Sequence, residues 1–213
     1  MEPVKYTNCL IFLHGLNDNP EHFKEYFKNI HFTKKNETKM VFLKAPINNV
    51  TYKGKKNVTS WFDIYQIPMN SNDIYNFTEA TETKNNLIEY INEEAKLLNG
   101  NINKIFIGGH SQGACLALYI GYTADYLLGG VISLCGLLFP QIDKIENKEE
   151  LKTFLGHGKK DKQVPFDYHV KTIERISNYE GVEKYYNEDQ TNFIDNYTKL
   201  MLQLEGFLNR TIV

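Results

Sequence analysis

The chain has 213 residues, of which 42% are hydrophobic and 23% charged, a composition typical of a globular protein. At about 150 residues per domain we expect one domain over residues 1–213. The formal net charge of −2 provides no field that would attract nucleic acid, so we expect no nucleic-acid partner. The apolar runs are much shorter than the ~18 residues of a membrane span, so we expect none.

The three cysteines are Cys9, Cys115 and Cys135, and each lies in an apolar run. An odd number of cysteines in such runs predicts buried, reduced thiols rather than a disulfide framework. None has a second Cys or a His at zinc-ligand spacing, so no metal site is predicted. The first residues show no pattern of a secretory or transit peptide, so we expect a cytoplasmic protein.

Short apolar runs alternate with longer amphipathic stretches along the chain. The runs predict strands at residues 9–13, 40–43, 104–108, 130–135, 151–156 and 182–187. Helical periodicity predicts helices at residues 78–99, 112–124, 166–177 and 191–208. Continuous apolar strands suit a sheet that is covered on both faces. The alternation therefore predicts an α/β fold with a doubly wound, mostly parallel sheet.

The third predicted strand runs directly into a Gly-x-Ser-x-Gly motif, and a helix follows. This context is that of a nucleophile elbow. Gly109 and Gly113 allow a tight turn, Ser111 is then the nucleophile, and the N–H of Gln112 faces a developing oxyanion. The alternative is a glycine-rich turn that holds a buried serine.

Two further loops follow predicted strands. The segment 13–18 (Leu-His-Gly-Leu-Asn-Asp) follows the first, and its Leu16 N–H is the candidate for a second oxyanion donor. We interpret His14 there as a residue that bonds the loop rather than a proton shuttle. After the fifth strand, Asp161 stands before Val-Pro, where the acid of a Ser–Asp–His order belongs. Taken alone, that loop could equally be a solvated charged loop.

Five segments together resemble the acyl-protein thioesterases and related carboxylesterases or lysophospholipases of the α/β-hydrolase fold. They are residues 13–18, Ala-Pro at 45–46, Ser-Trp-Phe-Asp-Ile at 60–64, Gly-Gly-His-Ser-Gln-Gly-Ala at 108–114, and His-Gly-x-x-Asp-x-x-Val-Pro at 157–165. The resemblance implies that substrates are acylated proteins or lipid esters and that no metal or organic cofactor is required. By position it makes Ser111 the nucleophile and Asp161 the orienting acid, with Leu16 and Gln112 as oxyanion donors. Trp61 and Phe62 would line the acyl channel.

The sequence departs from this family where the catalytic histidine should follow the last strand. No histidine occurs after His169, and the family position falls on Thr191, or on Gln190 or Asn192 if the register shifts. Loss of the base from a comparable triad lowers turnover by about 10⁶. The substitutes that remain open are Glu188 or Asp189, His110 or His169, and Lys184 or Lys159.

The sequence therefore supports two hypotheses. In the first, the protein hydrolyses acyl esters or thioesters through Ser111, with a substitute base or at a low rate. In the second, it is an inactive pseudo-hydrolase that binds an acyl chain or serves as a structural subunit, in which case it would have a protein partner.

Overall fold

A computed structural model describes residues 6–69, 74–176, 179–188 and 197–213. Its centre is a six-stranded parallel sheet in the order β2-β1-β5-β6-β7-β8. The strands of this sheet are β1 (Asn8–Leu13), β2 (Thr38–Leu43), β5 (Ile105–His110), β6 (Gly130–Leu134), β7 (Thr153–Gly158) and β8 (Val182–Asn187). A separate antiparallel hairpin joins β3 (Ile47–Val50) to β4 (Lys55–Thr59).

Five helices accompany the sheet. They are α1 (Pro20–Lys28), α2 (Phe77–Leu97), α3 (Gln112–Thr123), α4 (Phe166–Ile176) and α5 (Tyr197–Thr211). Successive side chains of β1 point to opposite faces of the sheet, so they belong to two different hydrophobic clusters. Cys9, Ile11 and Leu13 pack in the cluster that contains buried residues of α2, α3 and α4. Leu10 and Phe12 pack in a second cluster with residues of α1 and α5, so both faces of the sheet are covered.

The predicted α/β-hydrolase architecture is confirmed, with all six predicted strands present and paired in parallel. The predicted helices at 78–99, 112–124 and 166–177 are confirmed within two residues at each end. The predicted helix at 191–208 is observed from Tyr197 to Thr211, and its first predicted turn lies outside the described residues. None of the helices within the described part of the chain is both long and apolar enough to span a membrane.

A buried lysine closes the carboxyl end of α3. The Lys148 side chain is buried, and its Nζ donates to the carbonyl oxygens of Ala124 and Tyr126, each at 2.6 Å. Burial lowers the pKa of this ammonium group, while the nearby Asp125 raises it. The ammonium satisfies the Ala124 carbonyl, which the end of α3 leaves without an intrahelical partner, and the Tyr126 carbonyl two residues further along the chain.

We predict that Lys148→Met lowers the free energy of unfolding by about 2–4 kcal/mol, because two carbonyls lose a charged donor while the apolar stem stays packed. Urea unfolding followed by circular dichroism measures this loss. Lys144→Met is the matched control, because Lys144 is exposed and pairs only with Glu146 among the described residues. A loss no larger than that of the control would show that the buried ammonium has no role in capping α3.

Candidate active site

Ser111 opens onto a cleft at the carboxyl ends of the parallel strands. The register aligns Leu13 with Gly109, and His110 with Leu134, so the loops after β1, β5 and β6 meet at one edge of the sheet. This edge is where open α/β sheets place their ligands. The cleft has a volume of about 460 Å³, and its lining residues include Gly15, Leu16 and Ser111.

The backbone at Ser111 is strained. Ser111 has φ 51° and ψ −115°, a conformation that residues with a side chain rarely adopt, and it separates β5 from α3. Its N–H donates to the Leu134 carbonyl at 2.8 Å, so the turn stays attached to β6. Strain of this kind costs about 1–3 kcal/mol and is found mostly at functional sites.

The two glycines of the motif are required by close contacts between backbones. A Cβ on Gly113 would lie 2.3 Å from the Leu13 carbonyl oxygen. A Cβ on Gly109 would lie 2.3 Å from the carbonyl carbon of Gly113. Real Cβ atoms do not approach other atoms this closely, so only glycine lets the first turn of α3 rest against the end of β1.

The side chain of Gln112 joins this turn to the segment after β4. Its Oε1 accepts from the Trp61 N–H at 3.0 Å, and its Nε2 donates to the Phe62 carbonyl at 2.7 Å. Nε2 also donates to the Ser60 hydroxyl at 3.0 Å, and the whole group is buried. The side-chain amide is fully used in these bonds. The backbone N–H of Gln112, the predicted oxyanion donor, lies at the start of α3, which leaves it without an intrahelical acceptor, and its role stays a prediction.

The loop after β1 is held by His14. His14 Nδ1 lies 2.7 Å from the Gly15 carbonyl oxygen, and its Nε2 accepts from the Ala45 N–H at 3.0 Å. Burial lowers the pKa of His14, so it is neutral with the proton on Nδ1. The ring bonds the loop, as predicted, and its two nitrogens are occupied. Gly15 and Leu16 then follow at the cleft, where an added Gly15 Cβ would lie 3.4 Å from the Ser111 Cβ.

Asp161 follows β7 and is held by backbone donors. Its Oδ1 accepts from the N–H groups of Gln163 at 2.7 Å and Val164 at 3.0 Å, and its side chain is 5% exposed. The nearest imidazole among the described residues is that of His157, whose Nε2 lies 3.8 Å from Oδ2. That distance is too long for a hydrogen bond, and the same Nε2 donates to the Val164 carbonyl at 2.9 Å. Asp161 therefore orients no histidine there.

Among the described residues, His110 is the only candidate base from the sequence that lines the cleft, and burial lowers its pKa to about 4, which makes it a weak base. His169 is fully buried against the His157 ring, with centroids 4.4 Å apart, and is not part of the cleft lining. Lys159 pairs with the exposed Glu188 at 2.6 Å, and neither lines the cleft. His110 does line the cleft, and its ring packs on Phe23.

The remaining sequence candidates lie elsewhere. Lys184 is exposed on β8 and does not line the cleft. Thr191, Gln190, Asn192 and Asp189 lie outside the described residues.

The aromatic pair expected in the acyl channel is buried beside the cleft rather than in its lining. Trp61 is 5% exposed and donates its Nε1–H to the His14 carbonyl at 2.8 Å. Phe62 is 1% exposed and packs edge-on against Phe139. Their role in a channel stays a prediction. Much of the apolar lining comes instead from Ile64, which ends the segment 60–64, and from three residues that the sequence analysis did not single out, namely Ile67, Pro68 and Met69.

Comparison of the sequence with protein families shows which family the chain belongs to. The model of the phospholipase/carboxylesterase family matches residues 2–211.

The chain belongs to the phospholipase/carboxylesterase family.

Individual relatives agree with this assignment. Acyl-protein thioesterase 1 of Debaryomyces hansenii is 32% identical over 93% of this chain and 94% of its own length. Acyl-protein thioesterase 1 of Candida albicans is 28% identical over 92% of both chains. Among solved structures, Arabidopsis thaliana SOBER1 has a TM-score of 0.85 at 22% identity, covering 97% of this chain and 99% of its own. Acyl-protein thioesterase 2 of Zea mays has a TM-score of 0.71 at 19% identity, covering 96% and 95% of the two chains. Both solved structures have the same fold as this chain.

We predict that Gly113→Ala lowers the free energy of unfolding by at least about 3 kcal/mol, because the new methyl group collides with backbone that cannot move without opening the turn. Gly206→Ala is the matched control. Its Cβ would meet only the tip of the flexible Arg210 side chain, within a helix where alanine is favoured by about 0.5–1 kcal/mol. Chemical unfolding of both variants checks this. Equal stability of the two variants would contradict the close packing of α3 on β1.

The burial of His157 and His169 makes the stability of the fold depend on pH. The pKa of His169 is lowered to about 3, mainly by burial. Burial also lowers the pKa of His157. In the unfolded chain these values return to about 6.5. The unfolded state then binds more protons between the two values, so stability falls as the pH drops from about 6.5 towards 3.

His169→Phe removes one of several titrations of buried histidines and keeps a ring among Phe166 and Tyr186. We expect the loss of stability between pH 7 and pH 5 to shrink by roughly 2 kcal/mol in this variant. Unfolding curves of the variant and of the unmodified protein at several pH values measure it. An unchanged slope in His169→Phe would show that His169 is not one of the titrating groups.

Proposed function

We propose that the protein binds acyl thioesters or acyl esters in the Ser111 cleft and hydrolyses them slowly through Ser111, without an imidazole base. The observation that carries this proposal is the elbow itself. A strained serine at the start of α3 shares one cleft with the loop of Gly15 and Leu16. The cleft is apolar on the side of Ile67 and Met69, which suits an acyl chain.

The chemistry follows from which groups are present. The N–H groups of Leu16 and Gln112 would stabilise the negative charge that develops on the carbonyl oxygen after attack by Ser111, a contribution of about 10²–10³ in rate for each such donor. A hydroxyl without a base is a weak nucleophile. In serine hydrolases that lose their triad, binding and the oxyanion hole still give about 10³–10⁴ over the reaction in water.

A second candidate function is that of an inactive acyl-binding or structural subunit. The contacts of Asp161 favour this second function. Two backbone N–H groups donate to one oxygen of its carboxylate, and no described imidazole is within hydrogen-bond distance of it. The relatives named acyl-protein thioesterase support an acylated protein, or a lipid ester, as the ligand in both functions. The three cysteines are buried and not joined in disulfides, which supports a reducing compartment such as the cytoplasm.

We predict slow hydrolysis of an octanoyl thioester that depends on Ser111. Binding and the oxyanion donors alone give about 10³–10⁴ over the uncatalysed reaction, even after loss of a whole triad, so attack by Ser111 should raise the rate above that level. Ser111→Ala should bring the rate down to it, while Thr123→Ala, at the far end of α3, should not change it.

Three outcomes separate the alternatives. A rate that Ser111→Ala leaves unchanged would remove Ser111 from the chemistry. Rates as high as those of an intact triad would show that a base is present after all. Binding of an acyl ligand with no turnover would favour the subunit function.

A further inference from the structure

The Ser111 cleft has a cationic rim in addition to its apolar side. Lys53, Lys55 and Lys162 all contribute to its lining. Among the described residues, Asp18 is the only carboxylate in that lining, and it is already bonded to the His22 ring at 3.1 Å and to the Asn19 N–H at 2.8 Å. Three ammonium groups therefore face one carboxylate that is partly neutralised by its own contacts.

Two of these lysines are positioned by one aromatic ring. Tyr52 is attached to the segment after β4 by its N–H, which donates to the Ile64 carbonyl at 2.7 Å. The Nζ of Lys53 lies 5.3 Å from the centre of the Tyr52 ring, and that of Lys55 lies 5.9 Å away. Contacts of this type hold an ammonium group over an aromatic face without neutralising its charge.

The third lysine stands in the loop that follows β7. This loop is fixed on both sides of Lys162: Asp161 accepts from the Gln163 N–H, and the Gln163 carbonyl accepts from the Met69 N–H at 2.8 Å. Lys162 itself is exposed. The structure thus places cationic groups in the lining from two separate segments, the turn before β4 and the loop that carries Asp161.

These charges are not compensated locally. Within the described residues, no ion pair involves Lys53, Lys55 or Lys162, whereas Lys28, Lys96 and Lys144 each pair with a neighbouring glutamate. The chain as a whole carries a net charge of −2, so the positive cleft is a local feature rather than a consequence of composition. A cleft lined by one sign of charge concentrates ligands of the opposite sign.

We propose that the cleft selects acyl thioesters or esters whose leaving group is anionic, such as an acylated cysteine flanked by acidic residues. This inference rests on the proposed function, because it assigns the apolar side of the cleft to the acyl chain. The side with Ile67 and Met69 takes that chain, and the lysines meet negative charge on the group that departs from the carbonyl carbon.

A pair of thioether peptides tests the inference without requiring turnover. Both carry an S-octyl cysteine, which cannot be hydrolysed, flanked by glutamates in one peptide and by glutamines in the other. We expect the acidic peptide to bind more tightly by on the order of tenfold at low salt, from several screened charge pairs. Raising the ionic strength from about 0.01 M to about 0.15 M should reduce this preference, because the Debye length falls from ~30 to ~8 Å.

Two triple variants test whether the lysines of the cleft rim cause the preference for the acidic peptide. Replacing Lys53, Lys55 and Lys162 with glutamine should bring the ratio of the two dissociation constants close to one. Replacing Lys28, Lys96 and Lys144 with glutamine changes the net charge equally, away from the cleft, and should preserve the ratio. Equal binding of the two peptides by the unmodified protein overturns the inference, and so does failure to bind either one.

Turnover of an octanoyl thioester that is lost in Ser111→Ala tests the proposed hydrolysis separately. Such turnover with no preference between the peptides refutes only the selection of anionic leaving groups. A preference for the acidic peptide without such turnover refutes only the hydrolysis, and the cleft is then a binding site for the same ligands.

Discussion

The close approach of α3 to the end of β1 determines the rest of the site. Gly113 rests against the Leu13 carbonyl, and Gly109 rests against Gly113, at separations that leave no room for a methyl group. This contact forces Ser111 into its left-handed conformation, because the chain has a single residue in which to turn from strand to helix. It also brings the first N–H of α3 and the Gly15–Leu16 loop to one edge of the sheet, so the same packing positions Ser111 and the proposed oxyanion donors.

The Gln112 amide extends this rigidity to the cleft wall. By bonding both Trp61 and Phe62 it fixes the start of the segment that continues through Ile64 to Met69, which forms the apolar lining. The neighbouring part of the cleft wall depends on Asp161, which organises the Lys162 loop through backbone N–H groups. A carboxylate that orients an imidazole in a complete triad here supports a loop, and burial of His157 and His169 keeps both rings in the core.

The sequence predicted the sheet well, because buried parallel strands are continuous apolar runs. It missed α1, although Asn19 caps that helix and Phe23 and Phe27 lie one turn apart on its buried face. It also missed the β3–β4 hairpin, whose strands are short and polar and have no apolar alternation. The burial of Trp61 and Phe62 could not be predicted from residue type, since an aromatic side chain suits a core as well as a channel. It depends on the hydrogen bonds that Gln112 and His14 make with that segment.

The central claim is that this chain retains the elbow and oxyanion machinery of its family and lacks only a general base. The most direct measurement is thioester turnover after a histidine is introduced at the position where the family has one, by Thr191→His, with Gln190→His and Asn192→His covering a shift in register. A positioned base contributes about 10²–10⁴ in rate, so at least one variant should gain two or more orders of magnitude, and the gain should vanish on adding Ser111→Ala. If all three variants fold and none gains activity, the machinery around Ser111 is not intact and the account is contradicted.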